Sequence, residues 1–310
     1  MADRDIHVVL CSDHNYFKYG CVTILSLLES NPGVSVVVHY VGSDISNDDI
    51  EKLKSLVIFH KAQLFYYSVD DSIINKFPDI TEMQYLSKMC YCRMLLASIL
   101  PQSLDKVLYL DTDILVIGPI ENLYNEDLEG YYYAAIDDVV SGGNDVYARL
   151  GLNKDYTTYF NSGVMLLNLK EWRVDDFEGI IMKLVTNSNH LLIYPDQDIL
   201  NIVGVGRTKI MPMRYNMQDT CFKVHKPNIK TMVADWNDEI SETRIIHFTY
   251  FKKPWLFSST HPCKQMYLSY LKRLGGQKNL NARYSLPHKT HNWRNVGESE
   301  QIYEKERYSF

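Results

Sequence analysis

The chain has 310 residues, 46 % of them hydrophobic and 23 % charged, which is the balance of a folded globular protein and excludes a disordered or fibrous one. Its net charge of −6 gives the surface no general attraction for nucleic acid or anionic lipid. No run of about 18 apolar residues is present, so no membrane-spanning helix is expected.

The opening Met-Ala-Asp-Arg-Asp leads straight into an apolar run and lacks the basic and apolar regions of a secretory signal. The six cysteines form no C-x-x-C pair, and Cys11, Cys21, Cys90 and Cys92 lie in apolar segments. Reduced, buried thiols in a cytoplasmic protein are expected. The 23 tyrosines are read chiefly as core and surface filling, although a flat apolar face with a hydroxyl also suits sugar contacts.

Residues 6–11 are an apolar run ending in Ser12-Asp13-His14-Asn15, a buried strand followed by a polar turn. Helical spacing follows over 20–29, then a valine-rich strand over 35–41. Ser46 begins a cap for a helix over 50–58. A third strand spans 62–69, and a helix over 87–100 is stopped by Pro101. Strands are predicted at 106–110, 131–136 and 164–169, with a helix from Glu171 and another over 196–203. A short strand at 244–247 and a helix over 262–274, ended by Gly275-Gly276, complete the pattern. Strands alternating with helices predict an α/β fold with a mainly parallel twisted sheet flanked by helices. Residues 1–276 are expected to form one catalytic domain and 277–310, which lack periodicity, a C-terminal appendix.

In such sheets ligands bind at the carboxyl ends of strands, and acidic residues stand at three of these ends: Asp13, Asp111 with Asp113, and Asp137. D-x-D is a weak signal, since Asp3, Asp111 and Asp196 each open one. Its position makes the difference. Asp111 and Asp113 flank a bend between two apolar segments, where two like charges need a positive partner. A divalent cation with hard oxygen ligands, Mn²⁺ or Mg²⁺, would supply it. His247 ends a strand and is followed by Lys252-Lys253-Pro254-Trp255, an imidazole with phosphate-neutralising ammonium groups nearby. Asn161-Ser162-Gly163 precede a strong strand, and Asp196-Gln197-Asp198 open a helix. There Asp198 can serve the helix dipole while Asp196 and Gln197 face a substrate. No G-x-x-x-x-G-K, G-x-G-x-x-G or G-x-S-x-G motif stands where a kinase, dehydrogenase or α/β-hydrolase needs one.

In this order and combination, residues 107–113, 159–168, 196–198 and 247–255 resemble glycosyltransferase family 8, whose members include bacterial lipopolysaccharide galactosyl- and glucosyltransferases and glycogenin. The resemblance implies a GT-A nucleotide-diphospho-sugar transferase fold and a retaining enzyme. Such an enzyme would move glucose or galactose from UDP-glucose or UDP-galactose to a saccharide acceptor (lipopolysaccharide, another cell-surface glycan or a glycoprotein), with α linkage. It implies that Asp111, Asp113 and His247 hold Mn²⁺ or Mg²⁺. Cys11, Asp13 and Asn15 would contact the uridine, while Arg93, Thr112 and Lys253 would lie near the phosphates and sugar. Asp137, Asn161, Asp196 and Gln197 would line the hexose pocket, with Gln197 at the reactive face. A cytoplasmic place, with peripheral contact at the inner face of the membrane left open, is implied as well. Two features depart from the pattern. Tyr250 stands where many members carry glycine, and the tail interleaves Lys289, Arg294, Lys305 and Arg307 with Glu298, Glu300, Glu304 and Glu306. A glycogenin-like self-glucosylating protein and a UDP-sugar-binding protein without turnover are the alternative readings.

Overall fold

A computed structural model describes residues 5–77, 87–139, 144–187, 192–222, 236–249 and 251–275. Tyr250 and the tail expected to form an appendix lie outside the described residues, as does residue 276, where the domain boundary is expected. Among the described residues the strands are β1 (Ile6–Asp13), β2 (Val36–Ser43), β3 (Gln63–Ser68), β4 (Lys106–Leu110), β5 (Ile114–Val116), β6 (Tyr133–Asp137), β7 (Phe160–Asn168), β8 (Thr208–Met211), β9 (Met217–Gln218) and β10 (Ile245–His247).

Seven of them form one sheet in the order β3-β2-β1-β4-β7-β6-β8. Neighbouring strands are parallel except where β7 meets β4 and β6, so β7 alone runs against the rest. The reversal matters for function, because the N-terminal end of β7 lies at the edge where the other strands end. Asn161, Ser162 and Gly163 therefore share a rim with Asp13, Asp111 and Asp137. The β6–β7 register shifts between Ala135 and Ile136, so that Ile136 pairs with Asn161 and residues 162–164 are skipped by that ladder. Irregularities of this kind re-aim side chains next to sites.

Successive residues of a strand point to opposite faces. Accordingly Val8 and Leu10 pack into one core with Phe17, Ile24 and Val38, while Val9 and Cys11 pack into the other with Tyr109 and Trp172. Both faces are covered, which is why β7 is an almost continuous apolar run after its first residues.

Helix α1 (His14–Ser30) begins earlier than the spacing predicts, because Asp13 accepts the Tyr16 backbone N–H and caps it. Helix α2 (Asn47–Phe59) is capped by Ser46 as expected, but starts directly after it, three residues before the expected 50–58. Strand β7 begins at Phe160 rather than at residue 164. The segment expected as one helix over 87–100 is a 3₁₀ helix over Lys88–Leu95 and a single α turn over Leu96–Ile99. Its Met89, Tyr91, Cys92, Arg93 and Met94 are all buried, so no solvated helical face sets a 3.6-residue period.

A second sheet of three short strands, β5-β10-β9, stands beyond the end of β4. In it His247 pairs with Ile114 and Gln218, and Phe248 N–H donates to the Asp113 carbonyl at 3.0 Å. This small sheet carries a histidine from late in the chain to the Asp111–Asp113 bend.

Candidate active site

Asp111 and Asp113 sit on the turn between β4 and β5, and His247 closes β10 beside them. One ligand atom from each of the three lies within 4.8 Å of the others. His247 Nε2 is 3.2 Å from Asp113 Oδ1 and 3.7 Å from Asp111 Oδ2. Asp113 Oδ1 is buried and accepts no hydrogen bond. A buried carboxylate oxygen left in that state is costly, and a cation held with the neighbouring imidazole removes the cost. Two carboxylates and one imidazole are a donor set that suits Mn²⁺ or Mg²⁺, so the residues present fit the metal.

Positive side chains flank this triad. Lys253 Nζ stands 2.6 Å from Asp113 Oδ2 and also donates to the Phe248 carbonyl at 2.6 Å. Burial alone would raise the Asp113 pKa, but Lys253 and His247 more than reverse this and hold the carboxyl below its usual range. Arg93 Nη2 is 2.8 Å from Asp111 Oδ1, and its Nε is 3.2 Å from Asp196 Oδ2. Burial works against the Arg93 charge, and Asp111, Tyr109 and Asp196 outweigh it. Tyr109 donates to the same Asp111 oxygen at 2.6 Å, and the guanidinium carbon lies 4.6 Å from its ring centre.

The second half of the site is a buried amide network. Gln197, in the first turn of the helix Pro195–Val203, accepts at Oε1 from Ser162 N–H (3.1 Å) and Asn161 Nδ2 (3.2 Å). Its Nε2 donates to Asp138 Oδ2 (3.0 Å) and to the Tyr159 hydroxyl (3.1 Å). Asp196 turns the other way, toward Arg93 and Ser162, as neighbours about 100° apart on a helix must. Asp198 does more than serve the helix dipole. It is fully buried, takes a two-point contact from Arg149, and accepts from Tyr159 and from the backbone N–H groups of Ile193 and Tyr194.

A profile of the family described as "Glycosyl transferase family 8" matches residues 7–259. The chain belongs to glycosyltransferase family 8. This family 8 enzyme is 29 % identical over 248 residues to a lipopolysaccharide 1,2-glucosyltransferase of Escherichia coli, covering 78 % of the chain and 71 % of that protein. It is 24 % identical over 274 residues to a lipopolysaccharide 1,3-galactosyltransferase of Salmonella typhimurium, covering 86 % and 78 %. A crystal structure of the galactosyltransferase LgtC, with donor and acceptor sugar analogs, superposes with a TM-score of 0.78 at 25 % identity, covering 89 % of this chain and 97 % of that one. The fold is GT-A and the protein is a glycosyltransferase. Among the described residues no helix of this transferase is long and apolar enough to cross a membrane.

The structure joins most of the residues singled out from sequence. Arg93, Asp111, Asp113, Asn161, Asp196, Gln197, His247 and Lys253 form one connected cluster. Cys11 is buried beside Cys92, near enough to Arg93 and Asp111 to feel their charges, and burial pushes its thiol up. Asp13 is half-buried and occupied as the α1 cap, and Asn15 is exposed on the first turn of that helix. Thr112 is buried, with its carbonyl accepting from Thr23. Asp137 is buried at the end of β6, and its carbonyl accepts from Gln218. The sequence assigns no separate role to Tyr109, Asp138, Tyr159, Ser162 or Asn216, although Tyr109, Tyr159 and Ser162 lie inside motifs named above. In the Asp137-Asp138 pair it is the Asp138 carboxylate that reaches Gln197, just past the last residue of β6.

Proposed function

We propose that this glycosyltransferase transfers glucose or galactose from a UDP-sugar to a saccharide acceptor, with retention at the anomeric carbon and an α-linked product. The observation that carries the reading is the Asp111–Asp113–His247 cluster with its orphaned carboxylate oxygen, set beside buried Arg93 and Lys253. These three residues would hold Mn²⁺ or Mg²⁺, which when bound neutralises charge on a diphosphate leaving group. Arg93 and Lys253 add fixed positive charge in a water-poor site, where it counts most. Cys11, Asp13, Asn15 and Thr112 line the approach for the nucleotide, and Asp137, Asn161, Asp196 and Gln197 that for the hexose.

The retaining course rests on Gln197. Its amide is neutral, so it is no base, and both ends are already tied, the oxygen by two donors and the nitrogen by two acceptors. A side chain so held shapes the pocket floor better than it attacks carbon. The acceptor hydroxyl therefore enters on the face from which the diphosphate departs. The bond from sugar carbon to phosphate oxygen breaks as the new glycosidic bond forms, and the acceptor's proton passes to the departing diphosphate. The similarity to lipopolysaccharide glucosyl- and galactosyltransferases supports a cell-surface glycan as acceptor and a cytoplasmic site of action.

A screen of UDP-sugars for UDP release in Mn²⁺ identifies the donor. Proton NMR of the first product then reads the anomeric coupling directly; the small coupling of an α-glycoside is expected, and a large β-type coupling defeats the mechanism.

A further inference from the structure

An imidazole ligates a metal only through a nitrogen without a proton, and the partner of the other nitrogen decides which one that is. His247 Nδ1 lies 2.9 Å from Asn216 Oδ1. The two ends of an amide exchange on a flip, so this contact alone gives no direction. The direction is set two residues away, by a group that cannot flip. The Gly163 backbone N–H only donates, and it lies 3.1 Å from Asn161 Oδ1, which must therefore be oxygen. That oxygen only accepts, and it stands 2.9 Å from Asn216 Nδ2, which must be the amino end. The other end of Asn216 is then its oxygen, and His247 Nδ1 must carry the proton it receives. Nε2 is left as a lone pair facing Asp111 and Asp113. A second backbone group agrees. Ser162 N–H fixes Gln197 Oε1 as an acceptor, so the Asn161 end that meets it, and that also meets Asp138, is the donor.

The surroundings make this relay obligatory. Asn216 is fully buried and Asn161 nearly so, which leaves little room for a compensating solvent contact. Asn216 stands just before β9, whose Met217 pairs with Ile246 and whose Gln218 pairs with His247, so strand pairing holds it against the ring.

We propose that Asn216 is a positioning residue that, through Asn161 and the Gly163 backbone, fixes His247 in its Nδ1–H tautomer and presents Nε2 to the metal. The proposal rests on the metal role given to His247 above. It also makes the metal-facing histidine and the sugar-facing Gln197 two ends of one relay, meeting at Asn161.

Two measurements on the full chain test it. In alkaline, metal-free buffer, long-range proton–nitrogen correlation of ¹⁵N-histidine protein reports the His247 tautomer, assigned with His247→Gln. The Nδ1–H pattern is expected in wild type, and an Nε2–H pattern overturns the proposal. Mn²⁺ affinity, read from the electron paramagnetic resonance of free Mn²⁺, should fall by about 10- to 100-fold in Asn216→Leu, which removes both ends of the amide. Asn216→Asp keeps an acceptor for Nδ1–H but opposes Asn161 Oδ1 with a second acceptor. It should lose thermal stability and yet bind Mn²⁺ more tightly than Asn216→Leu. Affinity that follows melting temperature instead of the acceptor at 216 indicates mere buried packing and overturns the proposal. A wild type that binds no Mn²⁺ while its His247 shows Nδ1–H defeats the metal reading and upholds the tautomer assignment.

Discussion

Gly163 lies so close to His247 that a Cβ added to it would collide with His247 Cε1, and would stand 2.8 Å from both His247 Nδ1 and Asp111 Oδ2. Glycine is required here for space, because imidazole and carboxylate close over the β7 backbone. Gly163→Ala should push the ring off Asp113 and weaken Mn²⁺ binding by about ten-fold or more. Forced packing should also cost about 1–3 kcal/mol of stability. Calorimetric titration with Mn²⁺ and thermal melting check this; unchanged affinity would mean that the ring has no role in holding metal.

Asp113→Asn should weaken Mn²⁺ by more than about ten-fold, because the proposed function makes Asp113 a direct ligand, which weighs more than a supporting residue. Excess chelator should abolish transfer in the wild type and added Mn²⁺ should restore it. With Mn²⁺ present, UDP at about 100 times its dissociation constant should stabilise the wild type by about 2.7 kcal/mol. The variant should lose most of that gain. If ADP and GDP raise the melting temperature as UDP does, the uridine contacts given to Cys11, Asp13 and Asn15 are wrong.

Gln197→Ala should slow transfer while leaving UDP affinity nearly intact, because Gln197 belongs to the amide network and not to the Asp111–Asp113–His247 cluster. The variant also strips a donor from Asp138 and from Tyr159 an amide partner, so a loss of about 1–3 kcal/mol is expected. Steady-state kinetics separate the two effects: kcat falls and KM for the donor changes little. A rise in donor KM with unchanged kcat would place Gln197 in simple binding.

His39, on β2, is buried beside His7, Tyr67 and Phe65, and burial followed by the His7 charge lowers its pKa from 6.5 to about 4. The unfolded chain thus binds the proton more readily than the folded one. Stability is full above pH about 6.5 and is lost as the pH falls toward 4, by at most about 3 kcal/mol. His39→Gln should flatten that limb of the melting profile. A wild-type melting temperature constant between pH 6.5 and 4 would contradict the assignment.

The sequence made the rim of the sheet legible and its wiring obscure. Asp111 and His247 stand out because each closes a short apolar run, Asp113 because it is the second carboxylate of the same bend, and carboxyl ends of parallel strands are where ligands gather. Asp13 reads from sequence as part of a polar turn and as a ligand contact, whereas in the structure it caps α1, as an aspartate just before a helix does. Asn216 carried no signal, since its place follows from the pairing of β9 with a strand near residue 246. Tyr159, Asp198 and Arg149 meet only because the helix Pro195–Val203 docks on β7, a contact no local pattern encodes.

The three-strand sheet also sets an order of events. It ties the bend after β4 to a strand made long afterwards, and each of its strands is too short to persist unpaired. Closing so long a loop comes at an entropic disadvantage and belongs to the later part of folding. On the ribosome, then, the Asp111–Asp113 bend emerges with its Arg93 partner already made, and the His247 imidazole can join it only after more than a hundred further residues have been synthesised.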